Sequence, residues 1–381
     1  MDIKDYRNEI DSIDSQLIEL FSKRMETAGK IAQYKRENNI PVLDRQRERE
    51  LIDRVASLSP KELESYTVRL YQQILELSKS YQNSTANVRT ELYSKIEKAL
   101  AEKDKMQFPE RAVVACQGVE GAYSSIACEK IFVSPSIMFV NSFDAVFSAV
   151  SQGLCQYGVL PVENSTAGSV NRVYDLMEKQ HFYIVKSVRI KVNHSLVANK
   201  GTRLEDIKEV FSHDMAIAQS SEFLAEFSGV KITPCENTAV AAKRVAESGR
   251  NDVAAISSSA CAELYSLETL RESVQNRADN YTRFICISKK LEIYPGADRT
   301  SLMLTLEHKP GALYNLLAMF SALGINILKL ESRPLDGRDF EFMFYFDVEA
   351  SVYSEKFLQM ITELPGATED FSYLGSYNEA V

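Results

Sequence analysis

The sequence predicts a multidomain chain with three folds in series: an all-α segment, an α/β region of two lobes and a small α+β domain. Up to about residue 85, apolar residues recur with the spacing of amphipathic helices. From residue 111, short apolar runs alternate with helical patterns, as in the α/β class. From residue 299, the pattern follows the βαββαβ order of a ferredoxin-like domain. We place the helical domain at 1–85, a polar connector at 86–107, the two-lobed domain at 108–290 and the last domain at 298–381.

Composition excludes several classes of protein. Hydrophobic residues make up 45% and charged residues 25% of the 381 positions, as in soluble globular proteins. Asp and Glu outnumber Lys and Arg by 53 to 44, which argues against a nucleic-acid partner. No apolar run approaches the roughly 18 residues of a membrane span, and the charged start has no signal segment. The six cysteines form no CxxC pair and the four histidines lie far apart, so we expect a cytoplasmic protein without a metal site.

The first segment predicts three helices of unequal length. Residues 4–38 carry apolar side chains at helical spacing and would form a rod about 50 Å long. So long a helix cannot be buried by so small a domain. Pro41 ends it, a second helix runs over 44–56, and a third begins at Pro60, a favourable first-turn residue. The unequal lengths favour an intertwined dimer.

Two cations interrupt the apolar stripe of the long helix. Arg24 and Lys35 lie within about 20° of one face and roughly 17 Å apart along the axis. Two long cationic side chains at this separation could close on a small anion. Arg7 would lie about 25 Å from Arg24 on the same rod, so only an antiparallel partner chain could deliver it. The alternative is that each is a surface cation whose stem covers apolar residues.

Further polar residues fall at one-turn spacing on the other two helices: Asp44, Arg47 and Glu48 on the second, and Ser78 and Gln82 on the third. With the three cations of the long helix, this pattern resembles that of the all-helical chorismate mutase family over residues 5–83. The resemblance implies rearrangement of chorismate to prephenate. That reaction needs a protein that holds a folded dianion and stabilises charge on the breaking ether oxygen.

The same resemblance implies a role for each of these residues. Arg24 and Arg7 of the partner subunit would bind carboxylates, and Arg47 and Ser78 would assist them. Lys35 and Gln82 would donate to the ether oxygen. Glu48, with the region of Asp44, would bind the ring hydroxyl.

Four polar clusters of the α/β region stand where predicted strands end or begin, at 118–124, 160–166, 212–219 and 281–284. The first is a Gly-rich turn before a helix, which can hold a carboxylate with backbone N–H groups. The stretch 181–198 indicates a crossover between two lobes, and paired lobes bind ligands in the cleft between them.

The order of these clusters resembles prephenate dehydratase over about residues 110–290, with its E-N and T-R-F motifs intact. The resemblance implies a fold like that of periplasmic binding proteins and decarboxylation of prephenate with loss of the ring hydroxyl. Thr282 would be the partner of the leaving hydroxyl, and Arg283 would bind or orient carboxylates. The remaining residues implied to line the cleft are Glu163, Asn164, Ser212 and Gln219.

The dehydratase region departs from the family pattern in two places. Val119 and Ala122 stand where the family has Pro and a hydroxyl residue, which predicts weaker anion binding at this loop. Asp214 and Met215 follow Ser212-His213, where the family usually has Pro-Gln. We expect Asp214 to cap the helix that follows, because a carboxylate is favourable there.

Two short motifs mark the last domain, one opening its first helix and one closing its second strand: Gly311-Ala312-Leu313 and Glu331-Ser332-Arg333. They resemble motifs of the ACT domain attached to prephenate dehydratases. The resemblance implies that L-phenylalanine binds between two such domains and inhibits the dehydratase, with backbone N–H groups at Gly311 holding its carboxylate. Asp336-Gly337 predicts a hairpin turn between the two middle strands.

Together the three resemblances identify the chain as a member of the bifunctional chorismate mutase/prephenate dehydratase family with an ACT domain. Its partners would be chorismate, prephenate and L-phenylalanine, with no cofactor, metal, nucleic acid or membrane, in a homodimer or homotetramer. Two alternatives remain open. One is a dehydratase that prefers arogenate. The other is a non-catalytic phenylalanine sensor, which Ala122 and Asp214 would favour.

Overall fold

The structure is a computed structural model that describes residues 2–38, 40, 45–85, 90–101, 107–335 and 341–380. Its first domain is helical, with α1 at Ile3–Glu37, α2 at Arg45–Leu58 and α3 at Glu64–Thr85. Both α1 and α2 pack against α3. The third helix begins later than the predicted Pro60, because residues 61–63 first form a turn in which the Leu63 N–H donates to the Pro60 carbonyl. A fourth helix, α4 at Glu91–Ala101, follows within the predicted connector.

The first lobe of the α/β domain is a mixed sheet between helices. Its elements are β1 Val113–Gln117, α5 Tyr123–Ile131, β2 Ser136–Val140, α6 Phe143–Ser151, β3 Tyr157–Asn164, β4 Gly168–Ser169, α7 Asn171–Lys179 and β5 Tyr183–Lys191. The apolar run of β1 is buried on both faces, with Ala115 packed toward α6 and Cys116 toward α5. Continuous apolar strands of this kind belong to sheets that are covered on both sides.

The second lobe begins where the chain crosses over after β5. Its elements are β6 Ser195–Ala198, a short 3-10 helix Leu204–Asp206, β7 Glu209–Ser212, α8 Asp214–Gln219, α9 Ser221–Leu224, β8 Lys231–Pro234, α10 Thr238–Ser248, β9 Val253–Ser257, α11 Ser259–Leu264 and β10 Glu268–Arg271. The strands form one sheet in the order β10-β6-β9-β7-β8. Strand β11, Tyr281–Ser288, returns the chain to the first lobe and pairs antiparallel with β3 and β5.

The C-terminal domain follows the predicted βαββαβ order. Its elements are β12 Arg299–Thr305, α12 Ala312–Ala322, β13 Asn326–Pro334, β14 Phe342–Glu349, α13 Glu355–Ala367 and β15 Phe371–Tyr377. The strands pair antiparallel in the order β13-β14-β12-β15. The predicted turn at Asp336-Gly337 lies outside the described residues.

The C-terminal domain contacts both other parts of the chain. One face of its sheet packs on its own helices and on α4, whose Ile96 is buried in that core. The other face contributes Tyr345 and Tyr377 to the core of the first lobe. Strand β16, Glu379–Ala380, then pairs parallel with β5, so the first-lobe sheet has the order β16-β5-β11-β3-β1-β2, with β4 beside β3. Helix α13 also contacts α3 of the helical domain.

The described ranges contain no helix that is both long and apolar enough to cross a membrane. They also contain no group of three or more His, Cys, Asp or Glu side chains placed to hold a metal ion.

Candidate active sites

In the helical domain, the structure brings together a predicted cation on α1 and a predicted hydroxyl on α3. The Arg24 guanidinium donates a hydrogen bond to Ser78 Oγ. Ser78 is buried and in turn donates to the Ile74 carbonyl at 2.7 Å, which leaves its oxygen facing Arg24. Burial lowers the pKa of Arg24, against a smaller opposing effect of Tyr71, but a guanidinium stays charged at neutral pH. The α1–α3 interface therefore contains a partly desolvated positive charge.

Glu48 on α2 lies beside a cation to which the sequence pattern assigns no role. Lys79 Nζ is 3.0 Å from Glu48 Oε1 and 3.1 Å from Glu76 Oε1. Burial lowers the pKa of Lys79, but these two carboxylates outweigh it and raise the pKa above its ordinary value. Only the contact between α2 and α3 reveals this lysine, because its position in the sequence continues no pattern of cations.

The other predicted residues of this domain are spread along the helices. Arg7 is exposed and precedes Arg24 on one unbroken helix, about 25 Å away at 1.5 Å per residue. Lys35 and Gln82 are half-buried, and Asp44 lies outside the described residues. Arg47 lies 3.6 Å from Glu50 on an exposed face. One chain therefore cannot bring its own Arg7 to its own Arg24.

The apolar stripe of α1 is open to solvent. Leu17 is 55% exposed and Leu20 is 63% exposed, and Ile10 and Ile13 are also about half exposed. An apolar stripe along several turns of a helix is typical of an interaction surface, because soluble proteins rarely leave such a patch uncovered.

In the cleft of the α/β domain, four polar side chains form a closed ring of hydrogen bonds. Asn164 Nδ2 donates to Asn280 Oδ1 at 2.8 Å, and Asn280 Nδ2 donates to Gln219 Oε1 at 2.9 Å. Gln219 Nε2 donates to Thr166 Oγ1 at 2.7 Å, and the Thr166 hydroxyl donates back to Asn164 Oδ1 at 2.7 Å. Each amide donates with its nitrogen and accepts with its oxygen, so the ring fixes the orientation of all three amides.

Thr282 contacts this ring through Asn164. Its Oγ1 accepts a hydrogen bond from Asn164 Nδ2 at 2.9 Å. Asn164 must be the donor, because its Oδ1 already accepts from the N–H groups of Thr166 and Ala167. A hydroxyl oxygen that accepts from an amide keeps its own proton to donate. Thr282, which is half-buried, can therefore present its proton to a group bound in the cleft.

His194 lies behind the ring, at the crossover between the lobes. It is 2% exposed, and its Nε2 is 3.2 Å from Gln219 Oε1. Since that oxygen is an acceptor in the ring, Nε2 carries the proton. Burial lowers the pKa of His194, and the hydrogen bond to Gln219 opposes this effect only in part. The imidazole is therefore neutral near pH 7. Sequence reasoning gave no role to His194, Asn280 or Thr166. Thr166 ends the cluster at 160–166 and Asn280 directly precedes the cluster at 281–284, whereas His194 has no spacing pattern.

The Gly-rich loop at 118–121 packs against the second lobe. Gly121 has a φ of +85°, and a Cβ there would lie 2.9 Å from Cys261 Sγ, so only glycine fits. Ala122 is buried in the core of the second lobe, and Val119 packs against that core. The two residues of this first departure thus place apolar side chains between the lobes. The weaker anion binding expected at this loop stays a prediction.

The second departure surrounds the start of α8. The helix cap is His213, whose Nδ1 accepts from the Met215 N–H at 3.3 Å. The expectation that Asp214 caps the helix is therefore wrong. Asp214 is the first helical residue, where its exposed carboxylate still interacts favourably with the helix dipole. Ser212, just before the helix, is fully buried and donates to the Ile256 carbonyl at 2.7 Å.

Arg283 and Glu163 lie beside the ring residues but have partners in the C-terminal domain. Adjacent residues of a strand face opposite sides of its sheet, so Thr282 faces the cleft and Arg283 the other side. Arg283 is bonded to Asp347 of β14, and Lys329 of β13 is bonded to Glu163. The contact of Arg283 and Glu163 with substrate stays a prediction, and the geometry does not favour it for Arg283.

The first predicted effector motif lies at a small cavity. Gly311 precedes α12 with a φ of +88°, a conformation that favours glycine. Ala312 and Leu313 line a cavity of 110 Å³, together with Phe342 and Phe344.

The second effector motif faces two ways, because its residues alternate along β13. Glu331 accepts a hydrogen bond from Ser169 Oγ at 2.7 Å, and Arg333 donates to Asp175 at 3.0 Å, both in the first lobe. Ser332, between them, is exposed. Glu331 and Arg333 therefore lie at the interface with the dehydratase region.

Known proteins share this arrangement. The family model "Chorismate mutase type II" matches residues 6–83, and the model "Prephenate dehydratase" matches residues 114–292. The bifunctional chorismate mutase/prephenate dehydratase of Enterobacter agglomerans is 32% identical over 97% of this chain and 94% of its own length. The chain belongs to this bifunctional family. Its helical domain rearranges chorismate to prephenate, and its two-lobed domain converts prephenate to phenylpyruvate.

Two further relatives each cover 70% of this chain. The arogenate dehydratase/prephenate dehydratase 2 of Arabidopsis thaliana is 38% identical over 70% of this chain and 73% of its own length. Among solved structures, the prephenate dehydratase of Arthrobacter aurescens, in complex with L-Phe, is 27% identical. It has a TM-score of 0.64 and covers 70% of this chain and 90% of its own.

Proposed function

We propose that Thr282 protonates the hydroxyl group that leaves prephenate. The observation that carries this proposal is the closed ring, because the bond from Asn164 leaves the Thr282 proton free to be donated. In the reaction, the bond between the carbon ring of prephenate and its carboxylate breaks and CO₂ leaves. The electron pair of that bond enters the carbon ring, and the C–O bond breaks as the hydroxyl group accepts a proton and departs as water. A threonine hydroxyl is a weak acid, so its fixed orientation must lower the barrier.

Asn164 and Gln219 act in this proposal as orienting residues. Ser212, the last residue of β7, donates to the Ile256 carbonyl of β9. This hydrogen bond fixes the end of β7 next to the cleft. Glu163 stays a candidate for lining the cleft and Arg283 for binding the substrate carboxylates, although strand alternation turns both away from the face of Asn164 and Thr282.

The mutase site is completed by a second copy of the chain in this proposal. The exposed stripe of α1 and the separation of Arg7 from Arg24 both support an antiparallel pairing of two α1 helices. The residues of one site would be Arg24, Lys35, Asp44, Arg47, Glu48, Ser78 and Gln82 of one chain, with Arg7 of the partner subunit. Lys79 then holds the Glu48 carboxylate in place next to the ring hydroxyl of chorismate.

The C-terminal domain is proposed to be an ACT domain that binds L-phenylalanine and lowers dehydratase activity. Its βαββαβ order and the solved prephenate dehydratase that holds L-Phe support this. The cavity beside Leu313 is lined in part by Phe342 and Phe344, which suit the ring of the effector. The N–H groups at the start of α12 suit its carboxylate. We propose a cytoplasmic homodimer or homotetramer.

A time course with purified protein and chorismate tests these proposals together. Phenylpyruvate that forms through prephenate, and that falls when L-phenylalanine is added, is the expected result. Formation that L-phenylalanine leaves unchanged would contradict the effector proposal alone. A parallel assay with arogenate measures the substrate preference. A kcat/KM higher for arogenate than for prephenate would assign the domain to the arogenate reaction.

A further inference from the structure

Two opposite charges are buried between the dehydratase sheet and the C-terminal sheet. Arg283 is 4% exposed and Asp347 is 0% exposed, and the Arg283 guanidinium donates to Asp347 Oδ2. The second oxygen of Asp347 accepts hydrogen bonds from the buried hydroxyls of Ser301 and Tyr377. Every close partner of this carboxylate is therefore a donor. Charges removed from water so completely are retained only with their partner, because a lone buried charge is very unfavourable.

This ion pair lies next to the ring of hydrogen bonds that orients Thr282. In the pairing of β11 with β3, Thr282 lies opposite Asn164 and Arg283 lies opposite Glu163. Lys329 of the C-terminal domain is bonded to Glu163, and it is itself largely buried. Arg283 follows Thr282 in β11, and Glu163 precedes Asn164 in β3. The two residues of the Thr282–Asn164 hydrogen bond thus each have a charged chain neighbour whose partner belongs to the C-terminal domain.

The register of β11 and β3 changes beside Thr282. A bulge lies between Arg283 and Phe284 in this pairing, whereas the pairing of β11 with β5 keeps one register from Tyr281 to Cys286. On the β3 side, the Arg283–Asp347 pair and the bond from Lys329 to Glu163 therefore add to the ladder in fixing Thr282 relative to Asn164. A shift of about 1 Å in a reacting group costs up to roughly 100-fold in rate.

We propose that Asp347 is a positioning residue of the dehydratase site, acting through Arg283 to place Thr282. The C-terminal domain then contributes to the basal reaction and not only to its regulation. This inference rests on the proposed role of Thr282, which the Thr282→Ala variant examines separately. It also gives Arg283 a different task from the substrate contact implied by the family resemblance.

The test is Asp347→Asn in the full-length chain, which keeps the side-chain shape and removes the charge. The expected result is a dehydratase kcat lower by roughly 10- to 100-fold, with the KM for prephenate changed by less than about twofold. Mutase turnover in the same preparation should be unchanged, which shows that the chain is folded. If Arg283 instead binds a substrate carboxylate, the change falls on KM and not on kcat, and the proposal is overturned.

Two further variants keep the test decisive. Asp175→Asn removes the partly exposed Arg333–Asp175 pair at the rim of the same interface and should change kcat by less than about twofold. Ser301→Ala removes one donor to Asp347 and should lower kcat by roughly threefold, again without a change in KM. An unchanged kcat in Ser301→Ala overturns the proposal even if Asp347→Asn does not fold. An equal loss in Asp175→Asn also overturns it, because any disturbance of the interface would then suffice.

Discussion

In the helical domain the apolar stripe of the longest helix is exposed to solvent, whereas the apolar cores next to the dehydratase cleft are buried within one chain. Leu17 and Leu20 are more than half exposed, but Asn280 of the polar ring and His194 behind it are almost fully buried. The polar ring at Thr282 is complete within one chain, while Arg24 cannot meet the Arg7 of its own chain. The difference teaches how the two activities of one polypeptide would depend on assembly. In the proposed assembly, the mutase site needs a second copy of the chain, and the Thr282 site does not.

The largest effect is expected at the centre of the complete site. Thr282→Ala removes the proposed acid and should lower dehydratase kcat by roughly 100- to 10,000-fold. Mutase turnover, measured in the same preparation, should not change. Thr282→Ser keeps the hydroxyl and serves as the matched control, with a loss of about tenfold or less. A Thr282→Ala enzyme with undiminished kcat would show that another group supplies the proton.

A smaller effect, with the opposite selectivity, is expected on the open stripe of α1. The double change Ile13→Glu and Leu17→Glu keeps good helix formers but places charges where a partner helix would pack. Mutase kcat/KM should fall at least about tenfold on dilution, because each buried aliphatic side chain contributes about 1.5–3 kcal/mol. Dehydratase kcat should stay within about twofold.

The control for this variant is Lys23→Glu, on an exposed part of the same helix, where only a surface pair with Glu19 is lost. Such a pair contributes little, so both activities should persist. Full mutase activity in a chain that sedimentation shows to be monomeric would contradict the need for a second copy.

The smallest effect is expected behind the ring, at His194. His194→Leu removes the donor to Gln219 and should lower dehydratase kcat by about tenfold, whereas His194→Gln keeps a donor and should lose less. Burial holds the pKa of His194 below its ordinary value, so the unfolded chain binds this proton first as the pH falls. Its contribution to stability is thus present above pH of about 6.5 and is lost as the pH falls toward the lower folded-state pKa.

The pH profile distinguishes the two roles that His194 could have. Wild-type kcat should fall on the acid side as the buried ring takes up a proton, and His194→Gln should lack that part of the fall. Identical acid limbs in wild type and His194→Gln would mean that His194 does not titrate in this range.

Sequence pattern predicted the order of helices and strands well where periodicity was long, as along α1. It missed β6 and β10, because Ser195–Ala198 continues an apolar run that looked like one crossover and Glu268–Arg271 is half polar. In the structure β6 pairs with β9 on one side and with β10 on the other, so that β10 forms the edge of the second-lobe sheet. Such pairing is not visible in a local pattern.

The site was predicted as motifs, and the structure divides two of them by strand alternation. Thr282 and Arg283 were treated as one catalytic unit, yet they face opposite sides of β11. In the same way, Ser332 faces away from Glu331 and Arg333 on β13. The period of two was available in the sequence. What could not be predicted is which domain covers the second face, because the buried partner Asp347 lies 64 residues beyond Arg283.

The most direct test of the central claim mixes two inactive mutase chains. If each site combines Arg24 of one chain with Arg7 of the partner subunit, Arg24→Ala and Arg7→Ala damage different chains of each site, and a mixed dimer keeps one intact site. Co-refolding the two variants should restore mutase activity to about a quarter of wild type, with dehydratase activity as the internal standard. Arg24 and Lys35 of one site belong to the same chain. A mixture of Arg24→Ala and Lys35→Ala chains therefore contains no intact site and should restore no mutase activity. No recovery in the first mixture, or equal recovery in both, would contradict a site built from two chains.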